Sequence, residues 1–338
     1  MNLRLRNLKK SVVLAKLDGF VSFNPSNIFY LTGFGEEGSF VFVSPNVGVT
    51  LFVSKLNYLS AKKYANCKIR IASDKFLRRY KNKKIGFDNT VSFARIEKLK
   101  KIGGVIFESC SGFVENLRLI KDQTELSKIR ISCGISKKAI EYAEKKLHIG
   151  ITEKELADEI EHFLRISGAE KSAFDVIVAS GKNSSDPHHK PTDRKIQKDD
   201  VVVVDLGCVY ENYKSDLTRT FFLDTMNRRT RSVFVTVSEA QKRAVCAIKD
   251  GVLCSKVDFA ARDFVNNNGF GKYFIHGTGH GVGINIHEGP LISAKSDRVL
   301  KVGMVVTVEP GVYIPGKFGI RVEDTVLVTK SGCEILTV

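Results

Sequence analysis

The sequence predicts an α+β fold in two domains, a smaller mixed α/β domain followed by a larger domain. Three observations lead to this prediction. The chain has 338 residues, which is more than an average single domain. Its apolar segments fit strand periodicity in some stretches and helix periodicity in others. The two kinds of segment are segregated along the chain rather than strictly alternating, which favours α+β over a doubly wound parallel sheet.

The first domain is predicted to span 1–111, with a linker over 112–121. A basic amphipathic helix is expected within the first twenty or so residues, because the apolar positions there are interrupted by charges. Turn signals such as Asn24-Pro25 separate the segments that follow. These segments predict strands over 19–23, 28–31, 40–44 and 49–53, and helices over 55–64 and 92–101.

The second domain is predicted to span 122–338. A long helix is expected to begin near Asp122, with Gly150 just past its end. Thr152 and Glu155 have the spacing of a capping box and predict the start of a second helix. The remaining pattern predicts strands over 174–179, 201–206, 217–223, 304–308 and 319–328, and helices over 230–249 and 257–267.

Composition excludes several classes of protein. The net charge is +16, but it comes mostly from scattered lysines with few interleaved aromatics, so we expect a solvated basic surface and no nucleic-acid partner. No apolar run reaches the roughly 20 residues of a membrane span. The 7 cysteines are scattered without a CxxC pair, which argues against disulfides and thiolate zinc sites. A cytoplasmic protein without a membrane partner is expected.

Two aspartates lie beside strongly apolar strands. Asp205 follows the valine run 201–204, and Asp216 begins the next predicted strand. Residues 208–215 are long enough to form a hairpin that would place both carboxylates side by side. Adjacent carboxylates repel, so either one binds a proton or a cation lies between them. The alternative is a pair of surface aspartates near a turn.

Histidines occur in a glycine-rich segment. His276 and His280 lie within 276–283, and His287 follows. Their i, i+4 spacing is that of a helical zinc pair, but glycines at 277, 279, 281 and 283 exclude a stable helix, since each costs about 1 kcal/mol relative to alanine. The glycines indicate a tight backbone path that a ligand or another strand can approach closely.

Two glutamates belong to the C-terminal strands. Glu309 closes the predicted strand 304–308, and Glu323 lies within the predicted strand 319–328. Alternation along that strand would place Arg321 and Glu323 on one face. A salt-bridged sheet surface is the alternative explanation for this pair.

Together these residues offer four carboxylates and one imidazole. Such an oxygen-rich set suits Mn²⁺, Co²⁺, Fe²⁺ or Zn²⁺ better than a metal selected by thiolates. Five ligands exceed what one open catalytic zinc takes, so two metal ions are predicted. Two metals roughly 3.5–4 Å apart can share a hydroxide and polarise a carbonyl, which is the chemistry of hydrolysis. The ligand set is Asp205, Asp216, His280, Glu309 and Glu323.

The motifs that contain these residues make the chain recognisable. It resembles the Xaa-Pro peptidases, aminopeptidase P and prolidase, of the pita-bread metallopeptidase superfamily, which also includes methionine aminopeptidase and creatinase. The resemblance implies a C-terminal pita-bread catalytic domain preceded by a creatinase-like N-terminal domain. The motifs that carry it occur in the family's order at 24–34, 177–188, 205–207, 215–220, 276–283, 308–313 and 319–324.

The resemblance also implies roles for individual residues. Asp205 would bind one metal, His280 and Glu309 the other, and Asp216 and Glu323 would bridge them. Glu309 would also move the proton as a hydroxide held by the metals attacks the peptide carbonyl. His188 and His287 would bind the substrate and stabilise the oxyanion. His276 would line the proline pocket. Arg321 would orient the bridging carboxylates.

The resemblance leaves three functions open. The first expectation is hydrolysis of the N-terminal Xaa-Pro bond of short proline-containing peptides, as in aminopeptidase P. The alternative within the family is a prolidase, which acts only on Xaa-Pro dipeptides. A third possibility, from another class, is a catalytically inactive pita-bread binding module. Mn²⁺ or Co²⁺ are the metals expected first, with Zn²⁺ or Fe²⁺ as alternatives, and a homodimer is expected.

Overall fold

A computed structural model describes residues 3–338, and Met1 and Asn2, the first residues of the predicted N-terminal helix, lie outside that range. The chain divides after Arg118 into two compact units. No helix between residues 3 and 338 is both long and apolar enough to cross a membrane.

The first unit contains one mixed sheet with helices. Its elements are α1 (Leu3–Leu14), β1 (Gly19–Ser22), α2 (Pro25–Thr32), β2 (Phe40–Ser44), β3 (Gly48–Val53), α3 (Tyr58–Tyr64), β4 (Lys68–Ile71), a 3₁₀ helix (Asp74–Tyr80), β5 (Lys84–Asp88), α4 (Phe93–Lys100), β6 (Ile106–Cys110) and α5 (Glu115–Arg118). The strand order is β4-β3-β2-β1-β5-β6, with β1, β5 and β6 parallel to one another.

The strand predicted over 28–31 is wrong, because these residues belong to helix α2. The Asn24 side chain accepts hydrogen bonds from the backbone amides of Ser26 and Asn27, and Pro25 occupies the first turn. Gly33 ends the helix in the left-handed conformation, with φ 79°. The turn signal at Asn24-Pro25 is therefore a helix cap, which a short apolar run alone does not distinguish from the start of a strand.

The second unit begins with two long helices and two small sheets. Its elements to residue 222 are α6 (Gln123–Lys146), α7 (Glu153–Ile166), β7 (Lys171–Ser172), β8 (Ile177–Ser180), a 3₁₀ helix (Gly181–Ser185), β9 (Val201–Leu206), β10 (Cys208–Tyr210), β11 (Tyr213–Lys214) and β12 (Leu217–Phe222). Strands pair in the orders β12-β9-β8 and β11-β10-β7. Capping boxes begin both helices, and the one at Thr152 and Glu155 confirms the predicted start of α7.

Two more helices and a larger sheet complete this unit. The elements are α8 (Arg228–Ala247), α9 (Cys254–Asn267), a 3₁₀ helix (Gly271–Tyr273), β13 (Gly279–Gly281), β14 (Glu288–Ile292), β15 (Val305–Val308), β16 (Gly311–Ile314), β17 (Phe318–Arg321), β18 (Asp324–Val328) and β19 (Cys333–Ile335). Their sheets have the orders β14-β13-β15-β18-β19 and β16-β17.

The core of the second unit has two parts, each formed by a helix pair against a sheet. Helices α6 and α7 pack on β8, β9 and β12 through residues such as Leu156, Ile160 and Val204. Helices α8 and α9 pack on the sheet that contains β15 and β18 through residues such as Val237, Val257 and Val306. Both sheets thus have one face covered by helices, as expected for α+β architecture.

Candidate metal centre

The first two acidic side chains come from the paired strands β9 and β12. These strands are antiparallel, with Thr218 opposite Asp205. Residues 208–214 form the hairpin of β10 and β11, in which Val209 pairs with Lys214. The predicted return of the chain between Asp205 and Asp216 is therefore confirmed. Both aspartates are buried, at 8% and 5% exposure.

Glu323 reaches the same place from a break between strands. The single strand predicted over 319–328 is wrong, because β17 ends at Arg321 and β18 begins at Asp324. The two strands belong to different sheets, so the argument from alternation does not apply to Arg321 and Glu323. The break is held against β12, where the Glu323 amide donates to the Thr218 carbonyl at 3.2 Å.

Asp205, Asp216 and Glu323 form a compact acidic cluster. One carboxylate oxygen from each lies within 4.8 Å of the others. Burial and the charges of Glu323 and Asp205 raise the pKa of Asp216 well above its usual value. Burial and the charges of Glu309 and Asp205 do the same to the pKa of Glu323. Their ionised forms are therefore costly unless positive charge lies among them.

Two oxygens of this cluster lack hydrogen-bond partners among the described residues. They are Asp205 Oδ1 and Glu323 Oε1, both fully buried. The second oxygen of each carboxylate is bonded: Asp205 Oδ2 accepts from Arg321, and Glu323 Oε2 accepts from the Thr218 hydroxyl at 2.6 Å. Buried carboxylate oxygens are usually satisfied, so two orphaned oxygens in one cluster are the donor set expected for a metal ion.

His280 and Glu309 lie next to this cluster. His280 belongs to β13, and Glu309 follows β15 directly. The His280 Nε2 atom lies 3.2 Å from Glu309 Oε1 and 3.6 Å from Asp216 Oδ2. Its Nδ1 atom lies 3.1 Å from the Gly281 carbonyl oxygen, which accepts a hydrogen bond from Nδ1. Nε2 therefore either carries a proton or directs its lone pair at a cation among the carboxylates.

The glycine-rich segment around His280 lets another strand approach. A Cβ atom on Gly279 would collide with the Thr307 carbonyl, and one on Gly281 would collide with the Gly289 carbonyl. The sequence left open whether a ligand or another strand approaches this segment closely. The contacts of Gly279 and Gly281 show that neighbouring strands do. The effect of these glycines is to bring His280 beside Glu309.

Arg321, Tyr313 and His276 form a hydrogen-bonded chain beside the cluster. The Arg321 guanidinium donates to Asp205, to the Tyr313 hydroxyl at 2.7 Å and to the Thr218 hydroxyl at 3.1 Å. The Tyr313 hydroxyl lies 3.0 Å from His276 Nε2. Arg321 thus contacts Asp205 directly and reaches Glu323 through Thr218, while the structure shows no direct bond from it to Asp216 among the described residues.

These residues line one cavity of about 560 Å³ in the second unit. His188 and His287 lie at exposed positions of its wall. The His287 ring packs edge-on against His280, with 4.4 Å between ring centroids. The cavity therefore brings together every predicted site residue: Asp205, Asp216, His280, Glu309, Glu323, His188, His276, His287 and Arg321.

Sequence reasoning missed three residues that organise the site. Thr218 connects Arg321 to Glu323, and the Thr307 hydroxyl donates to Glu309 at 2.9 Å and accepts from the His280 amide at 3.0 Å. Tyr313 connects Arg321 to His276. Each lies within a few residues of a predicted site residue, but a threonine or tyrosine in a strand is ordinary, so only the pairing of strands reveals its function.

Comparison with known families agrees with this geometry. The model of metallopeptidase family M24 matches residues 127–330, and the Creatinase/Prolidase N-terminal domain matches residues 4–120. The chain belongs to metallopeptidase family M24. The predicted resemblance to the pita-bread metallopeptidases is confirmed, as is the predicted architecture of a creatinase-type domain followed by the catalytic domain. Family membership makes divalent metal the expected occupant of the acidic cluster.

Relatives of this M24 chain extend over its whole length. It is 38% identical over 342 residues to an Xaa-Pro dipeptidase of Pyrococcus furiosus, covering 100% of this chain and 98% of that protein. The prolidase of Pyrococcus horikoshii OT3 superposes with a TM-score of 0.96 at 34% identity, covering 100% and 98%. An X-Pro aminopeptidase of Thermotoga maritima superposes with a TM-score of 0.89 at 35% identity, covering 97% of each chain.

Proposed function

We propose that this chain is an Xaa-Pro dipeptidase, which hydrolyses the peptide bond before a proline in dipeptides. The single observation that carries the proposal is the convergence of Asp205, Asp216, His280, Glu309 and Glu323 on one cavity. The full-length match to proteins named as Xaa-Pro dipeptidases favours the dipeptidase over the aminopeptidase P activity that was the first expectation. A binding module would have no need to bury these carboxylates together.

The five converging residues fit a pair of divalent metal ions. The orphaned oxygens of Asp205 and Glu323, and the imidazole nitrogen of His280 among carboxylates, are unfilled donor positions of the kind that Mn²⁺ or Co²⁺ accepts. When bound, such ions polarise a peptide carbonyl and provide a nucleophile at neutral pH. The identity of the metal, the homodimer and the cytoplasmic location stay predictions.

Other residues of the chain would act on the peptide itself. Burial opposes the ionisation of Glu309, but the hydrogen bond and charge of His280 outweigh it and lower the pKa to about 2, so this carboxylate is ionised at neutral pH. Glu309 would move the proton during hydrolysis, as the resemblance implies. His188 and His287 line the cavity and would hold the peptide and its developing oxyanion. His276, held by Tyr313 and the Gly277 carbonyl, would contact the proline.

Arg321 would keep the acidic cluster in position. It is buried and bonds Asp205, Thr218 and Tyr313 at once. Its positive charge offsets part of the repulsion among the carboxylates, and its planar donors fix the orientation of Asp205. The free amine of the substrate would reach this metal-binding cluster, and cleavage would then be limited to the first peptide bond.

The test compares peptides that differ only at the carboxyl end. Alanyl-proline, alanyl-prolyl-alanine and alanyl-alanine are assayed with the Mn²⁺- or Co²⁺-loaded protein. We expect kcat/KM for alanyl-proline to exceed that for either other peptide by at least about tenfold, because a site built for particular polar groups rejects peptides that lack them. Equal or faster turnover of the tripeptide would support aminopeptidase P, the type of activity for which the Thermotoga maritima X-Pro aminopeptidase is named. No turnover of any of the three would contradict an Xaa-Pro peptidase.

A further inference from the structure

The wall of the cavity carries one cation that the site described above does not use. Among the described residues that line the cavity, the lysine and arginine side chains are Lys190 and Arg321. Arg321 is buried and fully engaged by Asp205, Tyr313 and Thr218. Lys190 is exposed, and its ammonium group makes no ion pair or hydrogen bond with any residue in 3–338. A positive charge on the wall of an acidic cavity is thus available to a ligand.

The backbone on both sides of Lys190 is anchored by one buried carboxylate. Glu153, in the first turn of α7, is 0% exposed. Its Oε2 atom lies 2.8 Å from His189 Nε2 and accepts from the Thr192 amide and hydroxyl at 3.1 and 2.7 Å. Its Oε1 atom accepts from the Ser180 amide at 2.8 Å. The residues that flank Lys190 are therefore fixed to the helix, and the lysine extends from a preorganised segment rather than from a free loop.

The cavity offers a position for each end of a free dipeptide. An Xaa-Pro dipeptide has an amine at one end and a carboxylate at the other, separated by about 7 Å of extended chain. Under the proposed function, the cluster of Asp205, Asp216 and Glu323 would hold the metal ions, and the amine end would lie against it. The carboxylate end then needs a cation elsewhere on the wall, and His276 is already bonded at both ring nitrogens.

We propose that Lys190 binds the terminal carboxylate of the dipeptide and that the Glu153 anchors fix the segment from which it reaches the substrate. This inference rests on the proposed dipeptidase function and extends it to the residue that selects for length. A longer peptide, or a dipeptide amide, has no carboxylate at this position. Lys190 therefore does not strengthen the binding of such substrates.

The experiment measures steady-state kinetics of the Mn²⁺-loaded protein with alanyl-proline and with alanyl-prolinamide. Lys190→Ala should raise KM for the dipeptide by about 10- to 100-fold, because it removes a hydrogen bond between charged groups that stabilises substrate binding. The value of kcat should change little. The amide should be hydrolysed as by the wild type. Lys190→Arg should stay within a few-fold of the wild type on both substrates. The matched control is Lys195→Ala, an exposed lysine nearby that does not line the cavity.

Each outcome separates the inference from the proposed function. If the wild type hydrolyses alanyl-proline but Lys190→Ala leaves the ratio of dipeptide to amide turnover unchanged, the role of Lys190 is overturned while the dipeptidase stands. An equal loss of kcat/KM on the dipeptide and on the amide leaves this ratio unchanged, so it also overturns the role of Lys190. If the wild type does not hydrolyse alanyl-proline, the dipeptidase proposal fails and this inference fails with it.

Discussion

At the scale of single residues, the site is defined by charges that are buried without enough countercharge. Asp216 is 5% exposed and has Asp205 and Glu323 as carboxylate neighbours. Such an arrangement destabilises the metal-free protein, since each buried anion disfavours ionisation of the next. A function that requires bound cations explains why the chain keeps the three carboxylates together.

Replacing Asp216 tests this explanation. Asp216→Asn should lower kcat/KM on alanyl-proline by more than about 100-fold, because even residues that only support metal ligands typically cost about 10- to 100-fold. The melting temperature of the metal-free variant should not fall, since the substitution removes one of the repelling charges. Asp224→Asn, at an exposed position paired with Lys198, is the control and should retain activity. Wild-type activity in Asp216→Asn would rule out a metal-binding role for this residue.

The residues that converge on the cavity could largely be singled out from the sequence, although their functions stay predictions. A purely structural role explains poorly why Asp205 follows a valine run or why His280 lies among glycines. Both residues could therefore be singled out from one sequence. The bonds that hold them could not. Arg321 contacts Asp205 through a pairing between distant strands, and Tyr313 and Thr218 become important only when those strands meet.

At the scale of elements, helix α7 determines where the segment 187–192 lies along the cavity wall. Burial opposes the ionisation of Glu153, but its hydrogen bonds with Ser180, His189 and Thr192 outweigh burial and lower its pKa from 4.5 to about 2. A carboxyl with a lowered pKa in the folded state stabilises the protein above its unfolded pKa. That contribution is lost as the pH falls from about 4.5 to about 2, and it amounts to roughly 3 kcal/mol.

Denaturant unfolding of Glu153→Gln checks this contribution. At pH 7 the variant should lose about 3 kcal/mol of unfolding free energy, because the amide nitrogen cannot accept the donors that Glu153 satisfies. The difference from the wild type should shrink as the pH approaches about 3. Glu155→Gln, which alters only the exposed capping box of the same helix, should reduce the unfolding free energy clearly less than Glu153→Gln does. A deficit in Glu153→Gln that is independent of pH would show that the charge of Glu153 is not the cause.

Elements were predicted best where local signals were strong. The capping box at Thr152 marked the start of α7, and the all-buried valine strand β9 followed from its composition. The run 28–31 was misassigned because four apolar residues fit a buried strand and a short helix equally well. The break after Arg321 was missed because residues 318–328 keep strand composition throughout, and the change of sheet depends on pairing with β16 and β15.

At the scale of the whole molecule, the second unit surrounds its site with two helix-covered sheets. Asp205 and Asp216 come from the sheet under α6 and α7, whereas His280 and Glu309 come from the sheet under α8 and α9. Glu323 lies between β17 and β18 and bonds to β12. Ligands from separate parts of the core meet only in the folded protein, so metal binding and folding of this unit should be linked.

The most direct test of the central claim is the number of metal ions that the protein binds. Calorimetric titration of the metal-free chain with Mn²⁺ should reach a stoichiometry of about two ions per chain, as expected for a dinuclear hydrolytic site. Asp216→Asn should bind fewer ions, or bind them at least about tenfold more weakly. Failure of the wild type to bind Mn²⁺, Co²⁺, Zn²⁺ or Fe²⁺, or identical binding by the wild type and Asp216→Asn, would contradict the account.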